Sequence, residues 1–300
     1  MQAERKILMK KYSAILVMIA GFCWGLIGFF SKNLSSLGFS STEITALRCI
    51  ITATMLGTYL AIFDREKLKI KLIDIHHFIE TGIFSIVLFN ICYFITVETV
   101  SLSIAAILLY TAPCIIMLLS IPLFKEKLTS KKLLCLIMSF VGCVLVTGIG
   151  TAASIPVSGI LTGLGSGLGY ALYTIFGRYA LKKYHPFTVT FYTFLIASFG
   201  IMFFTDPIHT ITKIEICPTS IPFALMLAAI STLTPFLCYT KGLEGLEAGT
   251  ASIIACIEPL VATLSGVIIF GDKLSVSNIS GIILIFISVI LINLNIKKSA

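Results

Sequence analysis

The second half of this sequence repeats the first half at a constant offset of 146 residues. The aligned identical residues include Gly21 with Gly167, Phe30 with Phe176, Tyr93 with Tyr239, Glu98 with Glu244, Ala105 with Ala251 and Pro113 with Pro259. Each copy carries five candidate membrane spans, and because five is odd, the second copy must cross the bilayer upside down relative to the first. Inverted repeats are typical of alternating-access transporters, whose substrate site lies near the bilayer midplane between the halves.

The composition predicts that most of the chain lies in lipid. Hydrophobic residues make up 57% and charged residues 12% of the sequence, and the mean hydropathy is +1.04, whereas about a quarter of the residues in soluble domains are charged. A helix needs about 20 mostly apolar residues to cross the hydrocarbon core, and ten segments meet this requirement. The predicted spans are Tyr12–Ser31, Thr42–Phe63, His76–Val97, Leu102–Phe124, Leu133–Ile149, Ser158–Leu181, Phe187–Thr205, Ile221–Gly242, Ala248–Phe270 and Val276–Leu294.

These spans define the predicted fold class, an all-α integral membrane protein with ten transmembrane helices arranged as two inverted five-helix repeats. We expect the first repeat, helices one to five, at residues 1–150 and the second, helices six to ten, at residues 151–300. The longest polar stretches, Asp64–Asp74 and Asp206–Thr219, are too short to fold as separate domains.

The basic residues predict the orientation in the membrane. Of the 22 basic residues, Lys32, Lys213 and Lys273 fall on one side and Arg48 lies inside a span, whereas the other 18 fall at the two termini and in the loops of the opposite side. By the positive-inside rule, both termini are cytoplasmic in a cell membrane, either plasma or inner. Because the basic residues are distributed among short loops, we expect membrane lipids as their partners and no nucleic acid.

Several other classes of site have no support in the sequence. Neither H-E-x-x-H nor G-x-S-x-G occurs, so we predict no enzyme. The glycine run at Gly163–Gly169 lies in mid-span with no strand before it, which argues against a nucleotide cofactor. The nine cysteines form no C-x-x-C pair and no zinc spacing, so we predict no metal site. The glycines indicate close helix packing instead.

Glu258 and Pro259 lie near the middle of the ninth span. A carboxylate at the bilayer centre costs about 2.5–3.5 kcal/mol on insertion scales, so it needs a partner or water. Pro259 removes a backbone hydrogen bond and predicts a kink, as does its counterpart Pro113 in the fourth span. Glu258 is therefore a candidate for substrate binding or proton coupling, and the alternative is a protonated side chain bonded to a neighbouring helix.

Arg48 lies about two turns into the second span. Its side chain could extend along the helix towards the membrane surface, or it could face a cavity and bind a substrate carboxylate. Arg48 and Glu258 together would suit a zwitterion. The remaining candidates for cavity lining are aromatic or amide side chains, some of which could instead belong to the interfacial aromatic belt. They are Trp24, Asn90, Tyr93, Tyr110, Tyr170 and Tyr239.

The order and spacing of several short motifs resemble the EamA domain of the drug/metabolite transporter superfamily, present twice. The motifs are Trp24-Gly25, Leu47-Arg48, Pro113 followed by Glu126 and Lys127-Leu128, and Glu258-Pro259 followed by Asp272 and Lys273-Leu274. The resemblance implies a ten-helix secondary transporter of small organic solutes, with a cavity lined by helices one to four and six to nine and with peripheral fifth and tenth helices. Asp272 stands where a Glu is usual, and Ala112 provides no polar side chain before Pro113.

We therefore expect a secondary transporter that exports small metabolites such as amino acids by alternating access, with protons as a candidate coupling ion through Glu258. A facilitative uniporter, a channel-like permease and an importer stay open as alternatives. The small residues of the fifth and tenth spans suit helix or subunit contacts, which leaves a homodimer open.

Overall fold

The structure, a computed structural model, describes residues 2–148 and 156–294. Ten helices in this part of the chain are long and apolar enough to cross a membrane, which confirms the predicted fold class. They are α1 (Ile7–Ser36), α2 (Ser41–Phe63), α3 (Leu72–Thr99), α4 (Leu102–Phe124), α5 (Ser130–Thr147), α6 (Val157–Ala180), α7 (Pro186–Phe204), α8 (Ser220–Gly242), α9 (Ala248–Phe270) and α10 (Val276–Leu294). The expected boundary between the repeats, at residues 150 and 151, lies outside the described residues.

The loops divide between two ends of the bundle. We call the end at which α1 begins the basic end, because Lys67, Lys125 and Lys183 lie in its loops, and the other the open end, because a cavity opens there. Polar contacts join the loops of the basic end: Lys183 Nζ donates to Asp74 Oδ1 at 2.6 Å. This contact places the α2–α3 loop and the α6–α7 loop on the same side, as alternating spans require.

Three of the spanning helices are interrupted near mid-membrane. In α4 the regular helix breaks at Tyr110 and resumes at Ala112, and in α9 it breaks at Cys256 and resumes at Ile257. Both breaks come just before the proline, as the sequence predicts, because a proline cannot donate to the carbonyl four residues earlier. α1 has a comparable break at Leu26, which the sequence did not indicate.

α3 and α8 contain an irregularity at matching positions of the two repeats. Gly82–Val87 and Ala229–Leu233 both form wide π-helical turns. Such turns are often found at functional sites because they rotate the following side chains relative to a regular helix. The following turns carry Asn90 in α3 and Phe236 in α8.

Helices of the two repeats interleave in the centre of the bundle. α1 packs on α8 and α9, and the equivalent helix α6 packs on α3 and α4. Close approach is possible because Gly21 and Gly25 lie against Ala255–Glu258 of α9, and Gly167 lies against Leu108 and Thr111 of α4. In lipid, small residues allow this backbone contact and the dispersion attraction that comes with it.

The last helix of each repeat lies beside the central helices, as the family resemblance implied. α5 and α10 pack on each other along their lengths. Gly142 and Gly281 bring the two backbones together, and the hydroxyls of Ser139 and Ser288 are 2.7 Å apart. This pair flanks α9 and so forms one side of the bundle.

Candidate functional site

A cavity of about 700 Å³ extends from the middle of the bundle to the open end. Its wall includes residues of α1, α2, α3, α4, α6, α8 and α9, together with Val146 and Thr147 at the end of α5. α7 supplies none of the lining residues among the described parts of the chain, although the resemblance implied that it would. The volume is within the range of small-molecule sites.

The structure brings all eight candidate binding residues to this cavity. The wall includes Trp24, Arg48, Asn90, Tyr93, Tyr110, Tyr170, Tyr239 and Glu258, and Pro259 as well. Pro113 lies behind the wall, in a small recess that it shares with Tyr110 and Glu258. The candidates come from seven different helices, so only the folded bundle places them together.

Glu258 lies in the first turn of α9 after the break at Cys256. Tyr170 Oη donates to Glu258 Oε2 at 3.4 Å, a long hydrogen bond. In the described residues, no Lys, Arg or His nitrogen lies within 4 Å of this carboxylate. The carboxyl group therefore borders the cavity with hydrogen-bonding capacity to spare.

Arg48 is the opposite charge on the same wall, a cation bordering the cavity. It is 6% exposed and follows the start of α2 by seven residues, about 10 Å along a helix. Its Nε is buried and has no hydrogen-bond partner among the described residues. This burial favours the cavity-facing alternative over extension to the membrane surface. An unpaired buried guanidinium nitrogen is costly, so a ligand that bonded it would be strongly favoured.

Aromatic rings close the cavity towards the basic end. Trp24 packs edge-on against Phe236, with 5.3 Å between ring centres, and in a tilted arrangement against Tyr239, with 5.2 Å between ring centres. The Tyr239 hydroxyl lies 2.8 Å from Thr174 Oγ1. Tyr239 is therefore part of a packed floor with its hydroxyl already satisfied, and its contribution to the site is mainly an apolar surface.

Several hydroxyl and amide groups contribute further polarity. Asn90 Nδ2 donates to the Ile86 carbonyl at 2.7 Å, and Thr45 Oγ1 donates to Asn90 Oδ1 at 3.4 Å. Thr45, Ser85 and Thr263 also line the cavity. Sequence reasoning did not single out these three residues, because a Ser or Thr in a membrane helix usually bonds its own backbone and carries no distinguishing signal.

A buried carboxylate seals the bundle at the basic end. Glu126, in the loop after α4, accepts the backbone N–H groups of Ala248 at 2.7 Å and Gly249 at 3.2 Å. These are the first residues of α9, where helix N–H groups have no partner within the helix and the helix dipole favours a negative charge. Arg178, at the end of α6, forms an ion pair with Glu126.

The same end carries a second link. Glu247, just before α9, forms an ion pair with Lys132 near the start of α5. Together with the side chain of Met117, which packs on Gly249, these contacts join α4, α5, α6 and α9. The basic end is therefore closed while the cavity reaches the other end, so the structure has one accessible side.

The fold and the cavity define an integral membrane protein whose inverted repeats enclose a central site for a small molecule. The sequence profile of the EamA-like transporter family matches residues 11–148 and again residues 157–294. The chain belongs to this family, and it is a membrane transporter. The two matches correspond to the two five-helix repeats.

Three similar proteins illustrate the relationship. An uncharacterised transporter from Archaeoglobus fulgidus is 27% identical over 285 residues, covering 95% of this chain and 99% of that protein. The threonine/homoserine exporter RhtA of Escherichia coli is 25% identical over 189 residues, covering 62% of this chain and 60% of that protein. A solved crystal structure has the same fold, with a TM-score of 0.78 and 17% identity over 95% of this chain and 98% of that chain.

Proposed function

We propose that this protein is a secondary active exporter of small zwitterionic metabolites, most simply amino acids, that works by alternating access and uses Glu258 as its proton-coupling group. The observation that carries the proposal is the pair of opposite charges on one cavity wall. Arg48 has an unpartnered buried Nε, and Glu258 has no cation within 4 Å among the described residues.

The spacing of these charges supports a ligand with two charged groups. If Arg48 and Glu258 formed a direct ion pair, their charges would neutralise each other and the site would suit an uncharged substrate. Because they are not paired, each side chain can bind an opposite charge on the substrate. A substrate carboxylate would pair with the Arg48 guanidinium, which favours two parallel hydrogen bonds. A substrate ammonium would bind Glu258 or the aromatic faces of Trp24 and Tyr170 beside it.

The cavity volume sets a second limit on the substrate. About 700 Å³ holds an amino acid or a similarly sized metabolite together with water, and it is too small for a macromolecule. The similarity to the threonine/homoserine exporter of Escherichia coli supports an amino acid and the outward direction. The closed basic end argues against an open channel, because only one side of the cavity is accessible.

Proton coupling rests on the position of Glu258. Desolvation in a closed cavity favours the neutral, protonated carboxyl, whereas water in the open cavity favours the anion. Protonation from the open end and release at the other end would then exchange protons for substrate. We further propose that the basic end faces the cytoplasm, since the Lys and Arg residues are concentrated there.

Ligand binding to the purified protein tests the substrate class. We expect a neutral amino acid to raise the thermal unfolding midpoint, because a ligand that binds only the folded state stabilises it in proportion to ln(1 + [L]/Kd). The matched amino-acid amide lacks the carboxylate, and the N-acetyl derivative lacks the ammonium. Both should bind at least about tenfold more weakly, as expected for loss of a charged hydrogen bond.

Two variants assign the charges. Arg48→Gln should abolish the preference for the amino acid over its amide, and Glu258→Gln should abolish the preference over the N-acetyl derivative. Equal stabilisation by all three compounds, or no stabilisation by a panel of amino acids, would refute the zwitterion proposal.

A further inference from the structure

We infer that Asp272 and Lys32 form the contact that closes the open end, with the Asp272 carboxylate accepting the backbone N–H groups of Leu102 and Ser103 at the start of α4. This inference rests on the proposed alternating access and specifies the residues that carry out one half of it. The internal repeat supports it, because the contacts that close the basic end show which equivalent contacts would form when the open end closes.

At the basic end, the closing contact has four parts. Glu126 accepts the first N–H groups of α9, and Arg178 pairs with Glu126. The Arg178 guanidinium also lies over the Phe124 ring, 4.6 Å from its centre. Gly249 in the first turn of α9 packs on the side chain of Met117.

The offset of 146 residues assigns each part a counterpart at the open end. The counterparts are Asp272 for Glu126, Leu102 for Ala248, Ser103 for Gly249, Lys32 for Arg178, Phe270 for Phe124 and Thr263 for Met117. The chemistry of the charged and aromatic parts is retained: an acid for an acid, a base for a base and Phe for Phe. Equivalent residues of inverted repeats exchange environments when a transporter reverses its accessible side.

The open end shows these counterparts separated. Asp272 is exposed, whereas Glu126 is 7% exposed. Leu102, Ser103, Thr263 and Asp272 all line the cavity, and no hydrogen bond joins Asp272 to Leu102 or Ser103 among the described residues. The cation is already in place, because Lys32 Nζ lies over the Phe270 ring at 3.7 Å from its centre, as Arg178 lies over Phe124.

The start of α4 can accept a carboxylate. Ser101 caps this helix by accepting the N–H of Ile104 at 3.3 Å, and this leaves the N–H groups of Leu102 and Ser103 without a partner among the described residues. At the start of α9, by contrast, Glu247 provides no such cap and pairs with Lys132 instead. Because the dipole of α4 favours an anion at this position, Asp272 is attracted there.

The packing residues are also complementary in size. At the basic end a large Met117 side chain meets Gly249, which has none. At the open end the smaller Thr263 would meet Ser103. Thr263 is smaller than Met117, but Ser103 is larger than Gly249, so the total side-chain volume of the contact is partly conserved. Conserved volume allows a contact to stay well packed.

Cysteine cross-linking tests the inference without any substrate. In a cysteine-free variant, Ser103→Cys and Thr263→Cys report closure of the open end, and Gly249→Cys and Met117→Cys report closure of the basic end. Membranes are oxidised with copper phenanthroline for increasing times, and disulfide formation is measured as loss of gel shift by a polyethylene-glycol maleimide after denaturation.

We expect reciprocal changes in the two pairs. Asp272→Ala should slow cross-linking of the open-end pair about tenfold, as expected for loss of hydrogen bonds to a charged group, and Asp272→Glu should restore it. Glu126→Gln should accelerate the open-end pair and slow the basic-end pair. Lys273→Gln, an exposed neighbour outside the contact, is the matched control and should change neither rate.

Two results would overturn the inference. In the first, the open-end cysteine pair cross-links at the same rate in the Asp272→Ala and Lys273→Gln backgrounds. In the second, the open-end pair does not cross-link even in the Glu126→Gln background. The substrate proposal is tested separately, since a protein that binds no amino acid but shows the reciprocal changes would refute the zwitterion site and leave this contact standing.

Discussion

Gly167→Ala should destabilise the protein, because α6 meets the backbone of α4 at this glycine. A Cβ at position 167 would lie 2.6 Å from Thr111 Oγ1 and 2.9 Å from the Leu108 carbonyl oxygen. The carbonyl belongs to the backbone, so the helices must separate by about 0.6 Å to restore a normal contact of about 3.5 Å.

The cost follows from the dispersion attraction that weakens when the two helices separate. A buried leucine makes about 40 atomic contacts of about 0.1–0.2 kcal/mol each, and a gap of 0.5 Å removes about a quarter of each well. If α4 and α6 make about as many atomic contacts around Gly167 as one buried leucine does, Gly167→Ala costs about 1–2 kcal/mol of folding free energy. This is within the usual range for overpacking. The expected result is a shift of about tenfold in the unfolding equilibrium.

The matched control lies on the same helix. A Cβ at Gly177 would meet nothing within 4 Å among the described residues, so Gly177→Ala should leave the unfolding equilibrium unchanged or slightly favour the folded state. The assay is reversible unfolding of the purified protein from mild detergent into SDS, followed by tryptophan fluorescence. Equal stabilities for the two variants would contradict the inferred contact between α6 and α4.

Two further predictions concern coupling and topology. Glu258→Gln keeps the size of the side chain, so the protein should fold and still exchange substrate at concentrations high enough to offset its weaker binding, but it should no longer concentrate substrate in proteoliposomes when a proton gradient is imposed; gradient-driven accumulation by this variant would remove Glu258 from the coupling. In intact cells that carry a cysteine-free variant, a cysteine introduced at the exposed Thr212 should react with an impermeant maleimide from outside, and cysteines at Lys69 and Lys131 only after permeabilisation; outside labelling at Lys131 would contradict the ten-span topology.

The fold could be predicted from the sequence because the two features that determine it, the apolar segments and the internal repeat, can both be recognised there. Apolar segments of sufficient length give the spans, and the repeat at a fixed offset gives their inverted arrangement. Pro113 and Pro259 mark two breaks by a local steric rule. The break at Leu26 and the π-helical turns at Gly82–Val87 and Ala229–Leu233 have no such rule, since they depend on which neighbouring helix satisfies the backbone.

The candidate site was predictable as a set of residues but not as a set of contacts. Arg48 and Glu258 stand out in sequence because lipid excludes charge, and the structure places both on the cavity wall. The bond between Tyr170 and Glu258 depends on the relative rotation of α6 and α9. Arg178 appeared in sequence as one of many basic loop residues, and its pairing with Glu126 required the folded bundle.

The pairing of α5 with α10 has a mechanical consequence. Each repeat contributes one of these helices, and Gly142 and Gly281 hold their backbones in contact while Ser139 and Ser288 join by hydrogen bond. The contact between α5 and α10 can therefore stay closed when the other eight helices tilt. A small relative rotation of the two repeats about the α5–α10 contact would therefore give a larger displacement on the side of the bundle farthest from it.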